Sequence, residues 1–124
     1  MEEKKDIYDS IKINCKLWLS TDDDRGIMGD GKWLLLKTID ERGSLKSAAE
    51  FLNISYRKAW GDLRKAEKIL GFPLTIKTRG GESGGNSLLT EEGKKIILAY
   101  DKLHSDIHNY IDFAFDSFIK DLRK

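Results

Sequence analysis

A chain of 124 residues, 40% hydrophobic and 35% charged, fits one soluble globular domain and excludes a disordered tail. No apolar run approaches the roughly 18 residues that span a bilayer, and Met1 to Asp6 lack a signal-peptide core, so a cytoplasmic protein is expected. One cysteine, Cys15, excludes an internal disulfide and a cysteine zinc site, and the net charge of +1 hides a strong local segregation.

The first element is a strand over residues 10–20. Ile11, Ile13, Cys15, Leu17 and Leu19 alternate with Lys12, Asn14, Lys16 and Trp18, the period of a half-buried strand. Ser20 to Gly26 then reads as a loop whose Asp22-Asp23-Asp24 triplet is a solvated turn. Three adjacent carboxylates do not converge on a cation without further ligands, so no metal site is assigned there.

Residues 30–89 contain the central unit. A helix from Gly31 to Arg42, capped by Asp30 and stopped by Gly43, buries Leu35, Leu36 and Ile39. Ser44 caps a short helix, Leu45 to Leu52, with Ala48, Ala49 and Leu52 inward. Asn53-Ile54-Ser55 leaves room only for a tight turn before a helix from Tyr56 to Leu70, which Gly71 and Pro73 end. Two helices joined by such a turn, with small alanines at the crossing, form a helix-turn-helix. Leu74 to Thr78 is a strand, residues 79–87 a glycine-rich tip, and Leu88-Leu89 starts the return strand of a wing.

Between Ile54 and Arg79 seven basic residues face two acidic ones, a local charge of +5. At about 100° per residue, Ala59, Leu63, Ala66 and Leu70 share one sector, the core stripe. Arg57, Gly61, Arg64, Lys65 and Lys68 lie opposite, with Lys58 at the margin. A cationic outward face suits the major groove of double-stranded DNA, where arginine reads guanine and lysine neutralises phosphate. The N-terminal residues Ser55, Tyr56, Arg57 and Lys58 would sit deepest. Gly61 costs about 1 kcal/mol against alanine, which either close approach to DNA or close helix packing explains. Arg79 and the wing tip would meet phosphate or the minor groove; the glycine run lacks the Gly-Lys-Ser/Thr of a P-loop, so no nucleotide cofactor is assigned.

The order Leu36-Lys37-Thr38-Ile39-Asp40-Glu41-Arg42-Gly43-Ser44-Leu45, then Ala48-Ala49, then Ile54-Ser55-Tyr56-Arg57-Lys58-Ala59-Trp60, resembles the ModE family of molybdate-responsive transcriptional regulators. The glycine-rich stretch ending Leu89-Thr90-Glu91-Glu92-Gly93 extends the likeness, which covers about residues 10 to 110; LysR-type regulators share a looser pattern. The resemblance implies a winged-helix DNA-binding domain whose N-terminal strand and C-terminal helix help to form a homodimer. Full-length members carry C-terminal oxyanion-binding domains that sense molybdate. Nothing in the sequence up to Lys124 resembles that sensor, so molybdate binding is not expected.

Residues 90–122 form the last element. Thr90 caps it, and Glu91 and Glu92 complement the helix dipole. Ile96, Tyr100, Leu103, Ile107, Tyr110 and Ala114 advance by fours and threes, and Ile111 and Phe118 widen the apolar face. A continuous helix would run about 48 Å, longer than a small winged helix covers, so a dimerisation role is expected. The expected dimer contacts are Ile11, Ile13, Leu17, Tyr100, Leu103, Ile107, Ile111 and Phe118. His104 and His108 have the i, i+4 spacing of a zinc hydrolase motif, but Ser105 stands where its glutamate would be, so no enzyme activity and no metal are assigned. The expectation is a mainly α, α+β winged helix-turn-helix acting as a sequence-specific, homodimeric DNA-binding regulator. The competing reading is a winged helix that binds only other proteins.

Overall fold

In the computed structural model, which describes residues 6–78 and 86–124, the elements run β1 (Trp18–Ser20), β2 (Gly26–Gly29), α1 (Asp30–Arg42), α2 (Leu45–Phe51), α3 (Tyr56–Leu70), β3 (Thr75–Thr78), β4 (Asn86–Leu89) and α4 (Glu91–Leu122). The expected mainly helical winged helix-turn-helix, with its long last helix, is present. A 3-10 turn at Ile7–Ser10 precedes these elements. Among the described residues no helix is long and apolar enough to cross a membrane.

Local chemistry sets the helix ends. The hydroxyls of Ser44, Ser55 and Thr90 accept from the amides of Ser47, Lys58 and Gly93 at 3.0, 3.0 and 2.9 Å, satisfying N–H groups that have no partner within their helices. Gly43 and Gly71 close α1 and α3 at φ +84° and +83°, a conformation that favours glycine. α1, α2 and α3 pack through Leu35, Leu36, Ile39, Ala48, Ala49, Ala59, Leu63 and Ala66, with Met28, Leu74, Leu89, Ile97 and Tyr100 closing the core. Small alanines on α2 and α3 let the two helices of the motif approach closely.

The N-terminal strand is much shorter than its alternation predicts. β1 spans three residues and pairs antiparallel with β2, Trp18 opposite Gly29 and Leu19 opposite Met28. Its partner has only four residues because α1 begins at Asp30, so no ladder exists for Ile11 to Leu17. Instead this segment runs antiparallel to α4. Asp6 and Asp9 accept from the Arg123 guanidinium at 2.9 and 2.7 Å at one end, and the Leu17 carbonyl accepts from the Tyr100 hydroxyl at 3.3 Å at the other. Ile11 and Ile13 line a cleft with Ala114, Phe115 and Phe118 between those anchors. β2 itself lies in the stretch that reads as loop and helix entry. The loop Thr21 to Arg25 closes on itself: the Asp23 carboxylate accepts from the Thr21 hydroxyl and, at 3.2 Å, from Arg25, and these two bonds, the Thr21 one foremost, hold its carboxyl below the usual range.

Two further expectations change. Asp30 is the first residue of α1 rather than its cap, and Gly29 occupies the cap position without a side-chain bond. The Asp30 carboxylate instead accepts from the Tyr100 hydroxyl at 2.8 Å. Tyr100, expected among the dimer contacts, is 2% exposed and packs in the core of its own protomer. Burial and the adjacent carboxylate raise its phenol pKa, because both disfavour the phenolate. The next residue, Asp101, accepts from the Trp33 indole at 2.6 Å and meets the Lys37 ammonium at 3.4 Å. These bonds clamp the first half of α4 to α1.

Gly93 is the point where α4 crosses the β3 entry. An added Cβ there would overlap the Leu74 carbonyl oxygen, a backbone atom that cannot turn aside. Alanine would gain about 1 kcal/mol of helix propensity, whereas overpacking against backbone costs about 1–3 kcal/mol and often more than a flexible neighbour would. Gly93→Ala is expected to lower the urea midpoint, with an unchanged or raised midpoint contradicting the close contact.

Candidate nucleic-acid interface

α3 divides cleanly into two faces. Ala59, Leu63, Ala66 and Glu67 are buried, and Leu70 is half-buried. Ser55, Tyr56, Arg57, Lys58, Gly61, Arg64, Lys65 and Lys68, eight of the nine residues expected to touch DNA, are all exposed. Around Gly61 an added Cβ would meet nothing within 4 Å. Close helix packing therefore does not explain this glycine, and its bare backbone lies open on the cationic face.

The cations on that face are not equivalent. Lys58 pairs with Asp62 at 3.0 Å, one turn along the helix. Arg64 donates to Glu67 at 3.0 Å and lies 5.5 Å from the Trp60 ring centre, so part of its fork is committed within the protein. Among the described residues Arg57, Lys65 and Lys68 form no ion pair. Those three hold their charge free for an outside anion.

Glu67 is the functional residue that the sequence conceals. Its carboxylate is 8% exposed and accepts from the Leu74 amide at 2.7 Å, with Thr75 further away at 3.5 Å. A charge on the recognition-type helix thus satisfies the first amides of the wing. Helix periodicity places Glu67 beside Leu63 and Leu70, but no local signal names an amide seven residues later as its partner.

The wing is held from both sides. β3 and β4 pair antiparallel from Thr75 opposite Leu89 to Thr78 opposite Asn86. The Ser87 amide donates to the Gly43 carbonyl at 2.8 Å, and the Thr90 amide donates to the Leu74 carbonyl at 3.0 Å. Residues 79–85, which include Arg79 and the glycine-rich tip, lie outside the described residues. Between the wing and the start of α2 lies a polar cleft of about 550 Å³ whose lining includes Arg42, Ser44, Lys46, Tyr56 and Lys77, with Glu50 as its one acid among the described residues. Sequence reading misses Arg42, Lys46 and Lys77 as a group because they come from three elements that meet only in the fold. The Phe51 ring sits 4.1 Å from the Arg42 guanidinium and supports it.

The two histidines are engaged with neighbours on α1 and with each other. His104 lies against Trp33 with ring centres 4.6 Å apart and places Nε2 3.7 Å from Asp30; His108 meets His104 edge-on. Among the described residues no three histidine, cysteine, aspartate or glutamate side chains converge on one point.

Comparison with known proteins agrees with this geometry. The pattern describing bacterial regulatory helix-turn-helix proteins of the lysR family matches residues 32–94. The chain is similar to the molybdenum transport protein ModE of Azotobacter vinelandii, 30% identical over 95 residues, 76% of this chain and 35% of that protein. It is 32% identical over 80 residues to the molybdenum-pterin-binding protein MopB of Rhodobacter capsulatus, 64% of this chain and 30% of that one. It is 38% identical over 69 residues to the transcriptional regulator ModE of Haemophilus influenzae, 56% of this chain and 27% of that one. The chain spans about a third of the length of the curated relatives it matches.

The Glu67 contact is open to a direct test. Glu67→Gln keeps the shape but adds a buried amide without an acceptor and removes the charge that Arg64 answers. It is expected to cost about 1–3 kcal/mol in urea denaturation and to speed hydrogen exchange at the Leu74 and Thr75 amides. Wild-type exchange at those amides in the variant would contradict the anchoring role.

Proposed function

Because the chain belongs to the bacterial regulatory helix-turn-helix family of the lysR type, with a ModE-like helix-turn-helix, we propose that it reads specific sites in double-stranded DNA as a homodimer. The family is one of DNA-binding transcription regulators rather than enzymes. The observation that supports the finer reading is the outward face of α3, where Arg57, Lys65 and Lys68 surround an uncovered Gly61. α3 enters the major groove, with Ser55, Tyr56, Arg57 and Lys58 at its leading end. Arg57 reads a base edge; Lys65, Lys68 and the remaining donors of Arg64 meet phosphates. Arg42, Lys46 and Lys77 in the polar cleft follow the adjoining backbone, and Arg79 adds a further contact to phosphate or the minor groove.

The dimer contact belongs to the outer half of α4 and the segment beside it. Ile107, Tyr110, Ile111, Ala114, Phe115, Phe118 and Leu122 fall within about 140° of arc on that helix. Tyr110 is 69% and Phe118 50% exposed, so water covers an apolar surface that a second copy would bury. Ile11, Ile13 and Leu103 border the same surface. Leu17 packs against the protomer's own core and contributes less. One α3 contacts only a few base pairs; two related by a twofold axis read half-sites about 34 Å apart or a multiple of it.

Gel shifts across salt concentrations test the DNA surface. Affinity should fall with a log–log slope of about −0.9 per phosphate neutralised. Lys65→Ala and Lys68→Ala should weaken all sequences alike, whereas Arg57→Ala should cost about 1–3 kcal/mol of discrimination at one base pair. Normal binding by the triple alanine variant of Arg57, Lys65 and Lys68 would contradict this face, and no salt-sensitive binding at all would favour a protein-interaction module. Light scattering tests the dimer: Ile107→Glu with Phe118→Glu should give a folded monomer that binds DNA more weakly. A wild-type monomer at concentrations that saturate the operator would contradict it.

A further inference from the structure

A second cleft, of about 490 Å³, lies on the other side of α1 between the β1–β2 hairpin and the turn from α2 into α3. Trp18, Leu34, Leu52 and Ile54 give it a largely apolar lining, within the size range of small-molecule sites. Trp18 is 64% and Leu34 47% exposed, so two large apolar side chains stand in water at its rim. At one end it is bordered by Lys32, Lys58 and Asp62. The Asp62 carboxylate is already engaged by Lys58 at 3.0 Å, which leaves the half-buried Lys32 ammonium as excess positive charge beside an apolar floor.

We propose that this cleft binds a small aromatic carboxylate, its ring against Trp18 and Leu34 and its carboxylate at Lys32. The chemistry requires both parts of such a ligand. Covering Trp18 and Leu34 with a flat apolar ring removes their surface from water, and a ring on indole stacks favourably. A compact inorganic anion would surrender its hydration beside apolar walls without that return. An uncharged aromatic would leave the ammonium unanswered. Partial burial lowers the Lys32 pKa, opposed by Asp62 and reinforced by Lys65 and Lys58, so a bound anion relieves an existing cost.

The position suggests what occupancy would do, and this clause rests on the DNA reading of α3. Lys58 borders the cleft and also belongs to the leading turn of α3. A carboxylate there adds negative charge beside the face that meets phosphates, so the ligand and DNA oppose one another.

The test uses 2-naphthoate as probe and 2-naphthylmethanol as its uncharged counterpart, with the intact chain in an NMR titration without DNA. Saturable shifts are expected at the Trp18 indole N–H and at the Lys32 and Lys58 amides, with naphthoate at least tenfold tighter than the alcohol. Lys32→Met, which keeps the apolar stem, should abolish that preference; Trp18→Ala should weaken both probes. Equal affinity for acid and alcohol, an unchanged preference in Lys32→Met with retained spectral dispersion, or no saturation at millimolar probe would overturn the proposal. Probe binding only at dilutions where the protein is monomeric would assign the cleft to a second copy and overturn it as well. A separate gel shift, expected to weaken at least twofold with saturating naphthoate, tests only the opposition to DNA, so its failure leaves probe binding standing.

Discussion

The Leu74 peptide joins the parts of this molecule that would have to act together. Its N–H donates to the buried carboxylate of Glu67 on α3, and its carbonyl accepts from the Thr90 amide at the start of α4. Thr90 also donates its hydroxyl to the Pro73 carbonyl at 2.8 Å while capping α4, and Gly93 lets that helix lie directly against Leu74. Leu74 itself is fully buried. A short loop with its polar groups left unpaired in such a place would cost several kcal/mol. With each one answered, α3, the wing and α4 keep fixed relative positions, and both the outward face of α3 and the polar cleft beside the wing inherit that geometry.

The same network explains how the charge is arranged. The protein is nearly neutral overall, and its acids are placed where they serve structure. Glu67 holds the wing, Asp30 holds Tyr100, Asp101 holds Trp33, and Asp6 and Asp9 hold Arg123. Exposed cations on α3 are thereby left with few internal anions. Cations thus outnumber acids on the exposed face of α3 without a large net charge on the protein, the local asymmetry that a DNA-contacting surface requires.

Features governed by neighbours in sequence were legible in the sequence. The hydroxyl caps at Ser44, Ser55 and Thr90, the glycine stops at Gly43 and Gly71, and the core stripe of Ala59, Leu63 and Ala66 all follow from local rules. Features decided by distant partners were not. Ile11 to Leu17 alternate as a strand does, yet α4 rather than a strand lies beside them. Tyr100 fits the apolar stripe of α4, but only the fold reveals Asp30 within reach of its hydroxyl. Gly61 admitted two explanations until the space around it was known. Arg42, Lys46 and Lys77 became a group only when α2 and the wing met.

On the proposed reading, α3 and the α2–wing cleft form one DNA-facing surface, with the far end of α4 turned to another task. Lysine acetylation footprinting with mass spectrometry, with and without a duplex carrying the operator, tests it on a single sample. DNA should protect Lys46, Lys58, Lys65, Lys68 and Lys77, while Lys102, Lys120 and Lys124 stay reactive. Protection confined to Lys102, Lys120 and Lys124, or spread evenly over all eight, would contradict the account.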